Sequence, residues 1–181
     1  MNRTVLILAG IIFCTLQSGV SAEGNSMERE DVEGMAFPIL VAETLAGARF
    51  QTPDPEREIT HVILIAFKRS VQPQIDQWLT ALADPLEQRS TVEMYEIPML
   101  AGRWRLMSGI IDGGMRSGIP AEQHSSVATF YGDVNRYKDI LDMDEDNVCY
   151  LYVIAPQGTI RFAASGPPTA ELIDGAIKAL E

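Results

Sequence analysis

From His61 to Phe67 the chain reads His-Val-Ile-Leu-Ile-Ala-Phe, a continuous apolar run. That pattern predicts a central strand covered on both faces. Val71, Ile75, Trp78, Leu79 and Leu82 then recur at helical spacing and predict a helix with one buried face. Ser70 is placed to cap its start, and Pro73 falls in the first turn, where a missing N–H costs little. Pro85 is expected to end it. Thr91 to Ile97 alternates in part and predicts a second strand that stops at Pro98. Trp104, Met107 and Ile111 mark one side of a second helix, followed by a Gly-rich stretch from Gly113 to Pro120. Val127 to Tyr131 predicts a third strand, and Tyr137, Ile140 and Leu141 a short helix. Val148–Ile154 and Thr159–Ala163 flank Ala155-Pro156-Gln157-Gly158, which reads as a tight hairpin turn. Leu172, Ile173, Ala176, Ile177 and Leu180 mark a closing helix, with Thr169 available as its cap.

Helices alternating with strands imply a parallel core built from right-handed crossovers. The final hairpin adds antiparallel strands on one side. The expected fold class is therefore α/β, a three-layer sandwich around a mixed central sheet.

The two ends of the chain read differently. Residues 1–22 have the form of a signal peptide: basic Arg3, an apolar stretch from Val5 to Phe13, and small Val20-Ser21-Ala22 before Glu23. Cleavage is expected near Ala22, which places the mature protein outside the cytoplasm, in the periplasm or secreted. Bulky Phe13 argues against lipidation at Cys14. Residues 23–36 are polar and acidic and read as a flexible leader, so the folded domain is expected to span residues 37–181.

Charge narrows the partners. With 14 basic against 25 acidic residues, the net charge is −11. Nucleic acid and anionic lipid both call for clustered positive charge, so neither is expected as a partner. No further stretch is long enough to insert stably in a membrane after cleavage. Removing the signal peptide leaves Cys149 alone, so a disulfide framework within one molecule is impossible.

The element order from about Phe37 to Glu181 resembles that of the thioredoxin-like superfamily. Val148 to Phe162 is similar to the hairpin-then-helix ending of peroxiredoxin-like domains. The Tyr150-Leu151-Tyr152-Val153 strand, the Gly158 turn, Ile160-Arg161 and Ser165-Gly166 also resemble the mitochondrial ATP-synthase assembly factor family. The resemblance implies a catalytic cysteine where the helix after the first central strand begins. A helix N-terminus there lowers the thiol pKa. This chain instead reads Phe67-Lys68-Arg69-Ser70-Val71-Gln72-Pro73-Gln74, with no sulfur, and Ser70 has no evident base to activate it. The superfamily's second landmark is a cis-proline before the facing strand. Asp146-Asn147-Val148 stands at that place.

The remaining candidates each carry an ordinary reading beside a functional one. Cys149 offers a thiol peroxidase or a redox sensor, or else a small core residue at a strand start. The acidic residues Asp144, Glu145 and Asp146 beside it would slow its chemistry. His61 and His124 are too few and too isolated for a zinc site. Met99, Met107 and Met115 suit core packing better than a soft-metal carrier. Asp142 to Asp146 alternates like a calcium loop but lacks the turn glycine and the distal Glu. Gly113-Gly114 and Gly118 lack the Lys-Ser or Lys-Thr of a phosphate loop. No metal or cofactor is therefore expected. Lys68, Arg69 and Ser70 follow the carboxyl end of a central strand, where open α/β sheets bind ligands. Arg103, Arg105 and Arg116 would join them in an anion-attracting patch if the second helix ran close by, or stand as solvated charges. The leading functional expectation is a redox-inactive, exported protein that binds an envelope protein, as an assembly or chaperone-type factor. The alternative is catalysis through Cys149.

Overall fold

The computed structural model describes residues 26–54 and 56–181. The proposed signal peptide, Cys14 and the first residues of the leader lie outside them. Eight strands form one mixed sheet: β1 (Met27–Glu28), β2 (Leu40–Thr44), β3 (Arg49–Thr52), β4 (Thr60–Ala66), β5 (Val92–Ala101), β6 (Ala128–Gly132), β7 (Tyr150–Ile154) and β8 (Ile160–Ser165). Their spatial order is β1-β8-β7-β4-β5-β6-β2-β3. β4 pairs in parallel with β5 and β5 with β6, while β7 runs antiparallel to β4 and to β8.

β4 is buried along its whole length. Its even positions, Val62, Leu64 and Ala66, join a core with α1 (Gln72–Glu87) and α4 (Ala170–Lys178). Its odd positions, Ile63 and Ile65, join a second core with α3 (Val134–Leu141), Phe37 and Tyr152. Trp78 on α1 is fully buried and donates its indole N–H to the Gly166 carbonyl at 2.9 Å, tying the helix to the end of β8. Gly175 lets α4 approach Phe162, whose ring lies 2.6 Å from where a Cβ would stand. Thr169 caps α4 by accepting the Leu172 N–H.

The expected three-layer frame is present, with several boundaries redrawn. Ser70 does not cap α1: it lies inside a 3₁₀ turn, Arg69–Val71, that leads directly into the helix. Pro85 does not end α1, which continues to Glu87, and Arg89 donates to the Pro85 carbonyl left open in that last turn. β5 does not stop at Pro98. The absent N–H falls in a gap in pairing with β6, between the isolated Glu96–Val127 bridge and the Met99–Phe130 pair. The Gly-rich stretch is largely helical: a 3₁₀ turn (Gly102–Met107) leads into α2 (Ser108–Gly118).

The larger correction concerns residues 26–36, expected to be flexible. They run along the edge of β8. Arg29 N–H donates to Ala163 O, Gly34 N–H to Ile160 O, and Ile160 N–H to Met35 O, at 2.8, 2.8 and 2.9 Å. Val32 is buried, as is Arg29, whose guanidinium lies against the Tyr150 ring and reaches Asp31 and Asp142. Backbone pairing to an open strand edge needs no hydrophobic pattern, which is why composition hides it. Replacing Arg29 with Ala is predicted to lower stability by roughly 1–3 kcal/mol, since a buried cation contributes contacts as well as charge. Thermal unfolding and proteolysis of residues 26–36 check this; unchanged melting and protection would contradict the docked segment.

Candidate functional site

The carboxyl end of β4 leads through Phe67 and Lys68 into the turn before α1, where thioredoxin-like enzymes carry their nucleophile. Three polar groups gather beneath it. Gln74, on the first turn of α1 and buried, accepts the Cys149 N–H at 2.8 Å and donates to the Asn147 carbonyl at 3.3 Å. One amide thus closes both open backbone groups at the entrance to β7. Glu96, on β5 beside Leu64, points at the same helix and accepts from Gln72 at 3.3 Å. It is 7% exposed. Burial raises its pKa, with the charge of Asp76 adding to the effect and Gln72 opposing it. Cys149 is fully buried in the α1–α4 core. Burial pushes its thiol far above the ordinary range, and Glu96 pushes the same way. The acidic pressure on Cys149 therefore comes from across the sheet at Glu96, in place of the expected Asp144–Asp146.

Asp146 has a different task. It pairs with Lys138 and, at 3.9 Å, with Lys68. Lys138 also stands over the Phe67 ring at 4.4 Å. Arg69 and Ser70 are exposed on the 3₁₀ turn. The other arginines of the expected patch are held elsewhere: Arg103 lies over Trp104, Arg105 donates to the Tyr131 carbonyl, and Arg116 to the Leu45 carbonyl at 2.7 Å. Lys68, Arg69 and Ser70 form one surface; the structure records no contact joining Arg103 or Arg116 to it.

The opposite end of β4 carries a second polar cluster. His61 is buried, with Nδ1 2.9 Å from Thr52 Oγ1 and Nε2 3.9 Å from Glu93. Burial lowers the His61 pKa, against the opposing charge of Glu93. Burial also pushes Glu93 up, but hydrogen bonds from Arg57 and Tyr95 outweigh it and hold the carboxylate below its usual range. Tyr95 is pushed up to about 12 by burial and by Glu93. A surface depression of about 260 Å³, lined by Arg49, Gln51, Asp54 and Glu56, opens along β3. The lining mixes both charges. His124 stands apart, 2.9 Å from the Ile119 carbonyl. Among the described residues no three His, Cys, Asp or Glu side chains gather as a metal site would. No described helix is long and apolar enough to cross a membrane.

The family model described as ATP10 protein matches residues 28–181. The chain belongs to the ATP10 protein family. The match starts inside the supposed leader, in agreement with the strip of residues that pairs with β8. No curated protein matches the chain. Among solved structures, the thioredoxin domain of a thiol-disulfide oxidoreductase from Bacteroides vulgatus is similar at 12% identity and a TM-score of 0.53. That likeness covers 82% of this chain and 98% of the other. The pneumococcal exposed lipoprotein thioredoxin from Streptococcus pneumoniae is similar at 6% identity and 0.53, covering 79% and 98%. Copper-bound ScoI from Arabidopsis thaliana is similar at 12% and 0.50, covering 80% and 98%. These likenesses establish the thioredoxin-like fold. In this ATP10 family chain the place before β7 has no proline, and the one cis bond among the described residues is Thr52–Pro53, at the end of β3.

Gln74 and Glu96 were not singled out in the sequence. Their signal was present: each is a polar residue among apolar ones on the buried face of its element, Gln74 beside Ile75 on α1 and Glu96 two residues after Met94 on β5. The raised pKa of Glu96 has a definite consequence for stability. A carboxyl with a folded pKa above its unfolded value stabilises most below the unfolded value, near 4.5. That contribution is lost as pH rises through the folded value. Glu96→Gln is therefore predicted to raise stability at pH 7 and to flatten its fall as pH rises above about 4.5. Denaturant titrations across that range measure it; equal or lower stability of the variant at pH 7 would contradict a carboxylate held against burial.

Proposed function

We propose that this ATP10 family protein works by binding another protein, as an assembly or chaperone-type factor, without thiol turnover. The observation that supports the reading most strongly is the pairing of two facts at one place. The turn that should present a nucleophile presents Lys68, Arg69 and Ser70, and the one described cysteine is sealed beneath it. A thiolate must be formed and must be reached to attack a disulfide or a peroxide. Cys149 satisfies neither condition, because its sulfur has no solvent contact and its proton is held by burial and by Glu96. The residues at 1–22 support export, so the partner belongs to the envelope or to the outside. The surface proposed for it is the rim formed by Lys68, Arg69 and Ser70.

Cross-linking in the cells that make the protein tests this. Cys149→Ala is predicted to capture the same partner as wild type. Arg69→Glu, which disturbs no ion pair in the structure, is predicted to weaken capture about tenfold. Loss of capture by Cys149→Ala, with the fold intact, would establish the thiol alternative and contradict the binding reading.

A further inference from the structure

β3 is the last strand of the sheet, and β2 is its one strand neighbour. Its inward side chains, Phe50 and Thr52, rest on His61, the second residue of β4, which is only 2% exposed. Nδ1 of the ring lies 2.9 Å from Thr52 Oγ1, the one side-chain hydrogen bond between β3 and the central strand among the described residues. The Phe50 and Tyr95 rings meet the imidazole edge to face, with centroids 5.7 and 5.8 Å away.

The charges around the ring come from two elements. Glu93 and Tyr95 stand beside it on β5, while Asp54 and Arg57 act on it from the segment after β3. β7 sets apolar Ile154 opposite it. The carboxylate of Glu93 is already engaged: Arg57 donates to it through both terminal nitrogens and Tyr95 through its hydroxyl. Its nearer oxygen is 3.9 Å from His61 Nε2, beyond hydrogen-bond length. The imidazole tautomer protonated on Nδ1 donates to Thr52 and leaves Nε2 bare, so the neutral ring asks nothing of Glu93. A protonated ring carries a second N–H, at Nε2, that meets no acceptor within reach, and a buried charge without a hydrogen-bond partner is costly. Burial lowers the pKa of the ring in the same sense.

We propose that His61 is a proton-sensitive catch for β3: the neutral ring holds the strand on β4, and protonation releases it. β3 is the element that yields, because β4 is paired on both sides, with β5 and β7, while β3 has β2 alone. Release lets water reach the imidazole and uncovers the Phe50 and Tyr95 rings, at the end of β4 opposite Lys68. Because the closed state depresses the pKa, the hold is complete above the open-state value near 6.5 and weakens as pH falls below it.

Amide hydrogen exchange of the wild-type protein between about pH 7.5 and 5, corrected for intrinsic rates, measures the opening of β3. Opening is expected to rise by up to about tenfold for each pH unit below 6.5, with the amides of β4 and β7 staying protected. His61→Asn, whose amide keeps a donor for Thr52, is expected to remove that slope. Arg57→Gln changes a half-exposed residue and frees Glu93 to accept the second N–H. It is expected to raise the His61 midpoint, read by NMR titration, and to shrink the slope. Protection of β3 that holds or strengthens down to about pH 5 overturns the proposal, because Glu93 then accommodates the charged ring. So does a slope that survives His61→Asn, a slope unmoved by Arg57→Gln, or release of β3 only together with β4 in global unfolding.

Discussion

Everything in this molecule is arranged around a strand that water does not reach. The seven residues of β4 are all buried, flanked by β5 and β7 and covered by a helical layer on each face. Such a strand can be apolar throughout, and the polar groups that the chain must still carry are driven to its two ends. At the start, His61 and Glu93 are held in hydrogen bonds with Thr52, Arg57 and Tyr95. At the finish stand Gln74, Glu96 and Cys149. Burial of polar groups is costly unless they are partnered, so both clusters are tightly specified.

The finishing end holds the place where a thioredoxin-like enzyme carries its nucleophile. An enzyme of this fold needs a thiolate stabilised by a helix N-terminus and open to its substrate. Here the helix begins with a basic and polar turn, and its first turn spends the Gln74 amide on the backbone at Asn147 and Cys149. Burial disfavours a thiolate at Cys149, and the charge of Glu96 on β5 pushes the same way. The same contacts that close the core also bury the Cys149 sulfur.

How much of this was legible in the sequence follows from how local each signal is. β4, the buried face of α1, the β7–β8 hairpin and the Thr169 cap each depend on residues within a few positions of one another, and each was readable. β2 and β3 were missed because they are short, and only their pairing with each other and of β2 with β6 defines them. The strip from Met27 to Ala36 was misread because its order comes from the open edge of β8 and from Arg29, a charged residue that composition assigns to solvent. Pro98 was taken for a strand end because sequence does not show that the pairing of β5 with β6 is interrupted there. In α2, glycine content outweighed the ties from Arg105, Asp112 and Arg116 that hold the helix in place. That Lys68, Arg69 and Ser70 follow the carboxyl end of the central strand was readable, because β4 is a strong local signal. Gln74 and Glu96 were overlooked because their importance lies in what they face across the sheet.

The most direct test of the account is the rate at which a thiol probe labels Cys149, followed against denaturant concentration and pH. A sealed thiol predicts labelling that tracks global unfolding and no sulfenic acid on exposure of the native protein to peroxide. Rapid labelling of the native protein near neutral pH, with sulfenic acid formed, would contradict it and place the chemistry at Cys149.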